Sequence, residues 1–139
     1  LEIRNVIISS GLEYPKGELA ENFPRDEKIG RLSRLRLAGG ETVAIEDSYF
    51  TKELYKTVRS LDPSKSVAHA ILDSDGIDVD KIDMKIVLRP PTAKEQKQLR
   101  LSPGERVAQL TRWTFSADRA INYVRFVMRE RLIQTPFGE

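Results

Sequence analysis

The sequence contains no cysteine and one histidine, His69. The lack of cysteine excludes thiol nucleophiles, disulfides and thiolate metal sites, and is compatible with a cytoplasmic protein. His69 has no second histidine with which to share a metal. No nucleophile-elbow pattern surrounds any serine that could join it in a triad. A phosphate-binding loop of the GxxxxGK[ST] type is missing. Asp73, Asp75, Asp78 and Asp80 crowd together, but Gly76 does not sit where a calcium loop needs it and no glutamate closes the run. No apolar stretch approaches the roughly 20 residues that span a bilayer. Excess charge is also lacking. The 23 basic and 21 acidic residues leave +2, too even a balance to point to nucleic-acid binding by this chain itself. Internal repeats and low-complexity segments are absent.

What remains is an ordinary globular composition, with 40% hydrophobic and 32% charged residues. A chain of 139 residues suits one domain with a single core. It begins at Leu1 without a secretory signal, which leaves room for an upstream segment.

The most informative stretch is 31–50, RLSRLRLAGGETVAIEDSYF, read as two strands folded back around Gly39-Gly40. Side chains two apart on a strand point the same way. Arg34 and Arg36 therefore share a face, with Leu35 and Leu37 on the other. On the returning strand Ala44, Glu46 and Ser48 share one face, and Val43 and Ile45 the opposite one. A two-residue turn would set arginines against Val43 and Ile45. A three-residue turn, Gly39 to Glu41, pairs Leu37 with Val43, Leu35 with Ile45, Arg36 with Ala44 and Arg34 with Glu46. A one-residue slip exchanges the faces, so the odd register is expected, with Gly39 or Gly40 left-handed. One face is then wholly apolar. The other carries two guanidinium groups, a carboxylate and a hydroxyl, and is either a solvated surface or a pocket wall. Shielded from water, paired arginines call for an anion, since their forks match phosphate and carboxylate oxygens.

Elsewhere, residues 3–9 read as a first strand broken by Ser9-Ser10-Gly11, and a short helix is expected near Gly17 to Asn22. Thr51 caps a helix carrying Leu54, Val58 and Leu61. Ser64 or Ser66 caps a second helix, Val67 to about Leu72, which ends before Gly76. Residues 77–89 alternate, with Ile82, Met84, Ile86 and Leu88 on one face of a half-buried strand. Thr92 and Glu95 form a capping box for a short helix to Leu101. Residues 106–115 and 120–129 form a final hairpin, with Asn122, Val124, Phe126 and Met128 on one face and Tyr123 and Val127 on the other. This order predicts an α+β fold, an antiparallel sheet with helices packed on it.

Two stretches, 31–50 and LRLSPGERVAQLTRWTFSADRAINYVRFVMRERLIQTPF at 99–137, resemble the central and final hairpins of the UTRA domain, the effector-binding domain of HutC-type GntR regulators. The helix before Gly76 and the strand into Pro90-Pro91 fall where that family has them. The resemblance implies a chorismate lyase-like fold and one effector-binding domain over 1–139. It also implies homodimers, no cofactor, and contact with DNA only through an N-terminal winged helix-turn-helix module that this chain does not include. A non-enzymatic cytoplasmic regulator domain is expected. A lyase, or a dimerisation module whose pocket has decayed, are the alternatives. The effector implied is an anionic metabolite such as a sugar phosphate. Arg34 and Arg36 would hold its anion, Glu46 its hydroxyl or amino groups, and Ser64 and Ser66 would offer hydroxyls and helix N-terminal amides. Asn122 and Met128 stand where the family usually has a glutamate and a tyrosine, replacing a carboxylate and a phenol by an amide and a flexible thioether.

Overall fold

The computed structural model describes residues 2–60, 71 and 77–132. The strands are β1 (Ile3–Glu13), β2 (Ile29–Ala38), β3 (Glu41–Thr51), β4 (Lys81–Arg89), β5 (Val107–Ser116) and β6 (Arg119–Arg129). A 3-10 turn spans Gly17–Glu21, and the helices are α1 (Lys52–Val58) and α2 (Ala93–Gln98). All six strands join one antiparallel sheet in the order β1-β2-β3-β6-β5-β4. Strands and then helices over one antiparallel sheet make the expected α+β fold.

The β2–β3 hairpin reaches the expected register by another route. Arg34 faces Glu46, Leu35 faces Ile45 and Arg36 faces Ala44. The turn itself has two residues, because Ala38 pairs with Glu41 and Leu37 with Thr42 rather than with Val43. Gly39 and Gly40 both have positive φ, 58° and 83°, as the tight hairpin turn requires. The residue that a longer turn would have supplied is instead a β-bulge at Val43, which restores the pairing of arginine with glutamate. The expectation of a wholly apolar second face holds only near the turn. Further along the same strands that face carries Arg31, Ser33, Asp47 and Tyr49.

Two further expectations give way. Ser9-Ser10-Gly11 does not end β1, which runs to Glu13 through pairs with Ser33, Leu32 and Arg31. A neighbouring strand satisfies the backbone there, and this outweighs local turn preference. The strand of Ile82, Met84, Ile86 and Leu88 is not half-buried. These side chains are 44% to 60% exposed, because β4 is the sheet edge.

The core lies on both faces. On the face of Arg34, Leu54, Tyr55 and Val58 of α1 pack with Leu32, Phe50, Ile71 and Ile121. Thr51 caps α1, accepting from the Leu54 backbone N–H. Gly30 permits this approach, since a Cβ there would lie 2.0 Å from the Tyr55 ring. On the other face, Leu19 and Phe23 pack with Ile29, Trp113 and Tyr123 at one end. Leu99 and Leu101, following α2, pack with Ile45, Val107 and Val127 at the other. The Thr92–Glu95 capping box of α2 forms in both directions. Ser64, Ser66, His69, Asp73 and Asp75 lie outside the described residues.

Candidate functional site

Antiparallel pairing lines up side chains in rows across the sheet. One row of the α1 face runs Arg34, Glu46, Phe126, Leu110 and Ile86. The next towards α1 runs Leu32, Ser48, Val124, Arg112 and Met84. Beyond it lie Phe50, Asn122 and Thr114. On the other side lie Arg36, Ala44, Met128 and Ala108. Strand alternation therefore brings Arg34, Arg36, Glu46, Asn122 and Met128 to a single face.

Arg34 and Glu46 form a buried ion pair, 3% and 2% exposed. Arg34 Nη2 donates to both carboxylate oxygens at 2.9 Å, and Nε donates to Oε2 at 3.2 Å. The Ser48 hydroxyl donates to the same Oε2 at 3.0 Å. Glu46 therefore neutralises part of the charge that the paired arginines place on this face. Arg36 is half-buried. Its Nε donates to Asn5 Oδ1 at 3.3 Å and its guanidinium lies over the Phe126 ring. Asn122 is fully buried and its amide donates to the Tyr49 carbonyl at 2.8 Å, while its Oδ1 has no hydrogen-bond partner among the described residues. Met128 is half-buried between Ala44 and Ala108, in the same row as Arg36 but two strands away from it.

Sequence reasoning missed Arg112. It sits on the same face, half-buried, with no hydrogen bond or ion pair to the described residues. Burial lowers its pKa from the ordinary arginine value, and the nearby Glu46 charge partly opposes this. Extending the alternation of the final hairpin back into β5 would have found it, since Arg112 lies opposite Val124. Within these rows the face thus carries three guanidinium groups and one carboxylate. Phe126, Val124 and Leu110 supply the apolar ground between them. Such an arrangement can desolvate and hold an anion, because guanidinium forks donate in a plane that matches carboxylate or phosphate oxygens.

Among the described residues, no cluster of three or more His, Cys, Asp or Glu is placed to hold a metal ion, and no helix is long and apolar enough to cross a membrane.

The chain is similar to the Bacillus subtilis (strain 168) protein named as an uncharacterized HTH-type transcriptional regulator, YydK, with 27% identity over 104 residues, covering 73% of this chain and 44% of that protein. It spans less than half the length of the curated relatives it matches. Its fold is that of the C-terminal domain of the histidine utilization repressor from Pseudomonas syringae pv. tomato, at a TM-score of 0.81 and 15% identity, covering 94% of this chain and 93% of that one. It is also that of the effector-binding domain of the B. subtilis trehalose repressor, at 0.75 and 22%, covering 91% and 90%. Residues 1–133 match the family model of the UTRA domain. This match runs through both hairpins and every strand described above, and the chain belongs to the UTRA domain family.

Proposed function

We propose that this chain is the sensor domain of a GntR-type transcriptional regulator and binds an anionic metabolite, such as a sugar phosphate, on the sheet face of Arg34 and Arg36. The observation that carries this is the excess of positive charge on that partly buried face. Arg34 is paired with Glu46, while Arg36 and Arg112 have no carboxylate within salt-bridge distance among the described residues. Two half-buried guanidinium groups beside an apolar floor are costly unless an anion offsets them. In this reading Arg36 and Arg112 hold the anion, and Arg34 holds Glu46 in place for ligand hydroxyl or amino groups. Asn122 Oδ1 offers a further acceptor, and Met128 adapts to the ligand body. Ser64 and Ser66 would join from outside the described residues.

Control of DNA follows from the remainder of such a regulator. The named relatives are HTH-type regulators more than twice the matched length, which supports a DNA-binding module beyond this chain. We assign dimerisation to β4. Ile82, Met84, Ile86 and Leu88 make an exposed apolar row on the strand that ends the sheet among the described residues. An antiparallel edge of this kind complements a second copy of itself about a two-fold axis. A ligand that binds one dimer geometry better than another would then change operator affinity.

The test is thermal denaturation with a panel of sugar phosphates and their unphosphorylated parents. A phosphorylated sugar should raise Tm and its parent should not. Arg36→Ala and Arg112→Ala should each remove the shift. A shift that persists in Arg36→Ala removes the anion assignment.

A further inference from the structure

The opposite face of the sheet holds a cleft of about 750 Å³, within the range of small-molecule sites. Its floor is formed by adjacent strands. Ser33 of β2 faces Asp47 of β3, and Asp47 faces Arg125 of β6. The 3-10 turn closes one end through Glu18, and α2 closes the other through Lys94 and Glu95. The cores beneath these caps leave the middle of the floor open.

The charges lining this cleft differ from those of the Arg34 face. Arg31 is taken up by Glu13 and the Ser9 hydroxyl. Arg89 donates to Glu95 through its two terminal guanidinium nitrogens, at 2.7 and 2.8 Å, and also donates to Gln109. Lys94 and Asp47 remain, and Arg125 is held by Glu18 only through a long ion pair at 3.9 Å. This remainder is balanced, so it disfavours a phosphate and favours a ligand with one charge of each sign.

The geometry keeps the two signs apart. Asp47 and Arg125 are direct cross-strand neighbours, yet no ion pair joins them. Asp47 Oδ1 instead accepts from the Ser33 hydroxyl at 2.6 Å. The Arg125 guanidinium lies over the Tyr123 ring and reaches Glu18 only at 3.9 Å, beyond hydrogen-bonding range. Beside it the Tyr123 hydroxyl is fully buried, with Glu18 and Arg125 near it but no hydrogen bond of ordinary geometry. A buried hydroxyl left this way marks a place where a further polar group belongs.

We propose that this cleft is a second small-molecule site that takes a dipolar ligand of the α-amino-acid type, its carboxylate on Arg125 and its ammonium group on Asp47. The planar fork of Arg125 suits a carboxylate. Asp47 is oriented by Ser33 and keeps a second oxygen for an ammonium donor. A ligand bridging the two replaces the ion pair that the strands do not make.

The whole chain would be titrated with the full panel of standard L-amino acids, using Tm and calorimetry as readouts. At least one should raise Tm saturably. The matching 2-oxo acid and the matching amine, each lacking one charge, should not. Asp47→Asn and Arg125→Gln, both shown folded by circular dichroism, should each lose the response. Should Arg125→Gln not fold, Arg125→Lys keeps the charge without the fork and should weaken binding at least about tenfold. The proposal is overturned if no amino acid in the panel shifts Tm, if the 2-oxo acid or the amine does as well, or if binding survives the Arg125 and Asp47 variants. Loss of the sugar-phosphate shift with an intact amino-acid shift counts against the first-face reading alone, and the reverse counts against this one alone.

Discussion

Glu46→Gln tests the buried ion pair most directly. The substitution keeps side-chain volume and removes one charge. Arg34 now gives three hydrogen bonds to this carboxylate, and Ser48 gives a fourth. A glutamine offers one carbonyl oxygen in place of two carboxylate oxygens and turns its NH2 towards donors. The guanidinium, 3% exposed, keeps its charge and loses the Glu46 carboxylate that helps to offset it. Removing one partner of such a pair costs about 3–5 kcal/mol. At roughly 3–4 °C per kcal/mol for a domain of this size, Tm should fall by roughly 10–20 °C. Urea denaturation followed by circular dichroism supplies the free energy, and calorimetry the Tm. The double variant Arg34→Met, Glu46→Leu should recover most of the loss, because it removes the desolvation cost of both ions. A cost below about 1 kcal/mol for Glu46→Gln, the range of exposed pairs, would refute the reasoning and mean that water reaches the pair.

Three other perturbations have signed outcomes. Gly30→Ala places a methyl group 2.0 Å from the Tyr55 ring and should destabilise by about 1–3 kcal/mol by pushing α1 from the sheet, with denaturant midpoints as the check. Hydrogen bonding from Arg89 holds the Glu95 carboxyl below its usual value, so this pair stabilises the fold at neutral pH, and its contribution declines as pH falls below the unfolded value near 4.5. Glu95→Gln should flatten the acid limb of a Tm-against-pH curve, and an unchanged limb would count against the pair. Burial, reinforced by Glu18, pushes the Tyr123 hydroxyl up to about 12. Its folded value exceeds the unfolded one near 10, so this residue erodes stability as pH rises from about 10 to 12, a loss that Tyr123→Phe should abolish. The same variant should raise stability at neutral pH by about 1 kcal/mol, because the removed hydroxyl is buried without a hydrogen bond of ordinary geometry among the described residues.

The hairpin shows where sequence reasoning was sufficient and where it was not. Penalising arginines against valine and isoleucine gave the true pairing of Arg34 with Glu46, because one face had to be buried. The same reasoning placed the extra residue in the turn. Backbone sterics favour a two-residue Gly-Gly turn, and the extra residue moved to Val43. The Thr51 cap and the Thr92–Glu95 box were readable because both are local hydrogen bonds between near neighbours. The edge position of β4 was not, since alternation reports two unlike faces and says nothing of what covers either. Arg112 needed only the alternation of the final hairpin carried back into β5, whereas the cleft around Asp47 and Arg125 depends on strand order, which brings β6 between β3 and β5. That order is set by contacts far apart in the chain.

The alternation of the central strands has a mechanical consequence. Ser33 and Arg34, Glu46 and Asp47, and Arg125 and Phe126 are adjacent in the chain yet project from opposite sides of the sheet. The Arg34 face and the cleft around Asp47 are separated by a sheet one polypeptide thick. A point mutation retunes one of them and leaves the chemistry of the other intact. A displacement of the strand itself cannot be confined in this way, since a ligand that pulls Glu46 carries the Asp47 backbone with it.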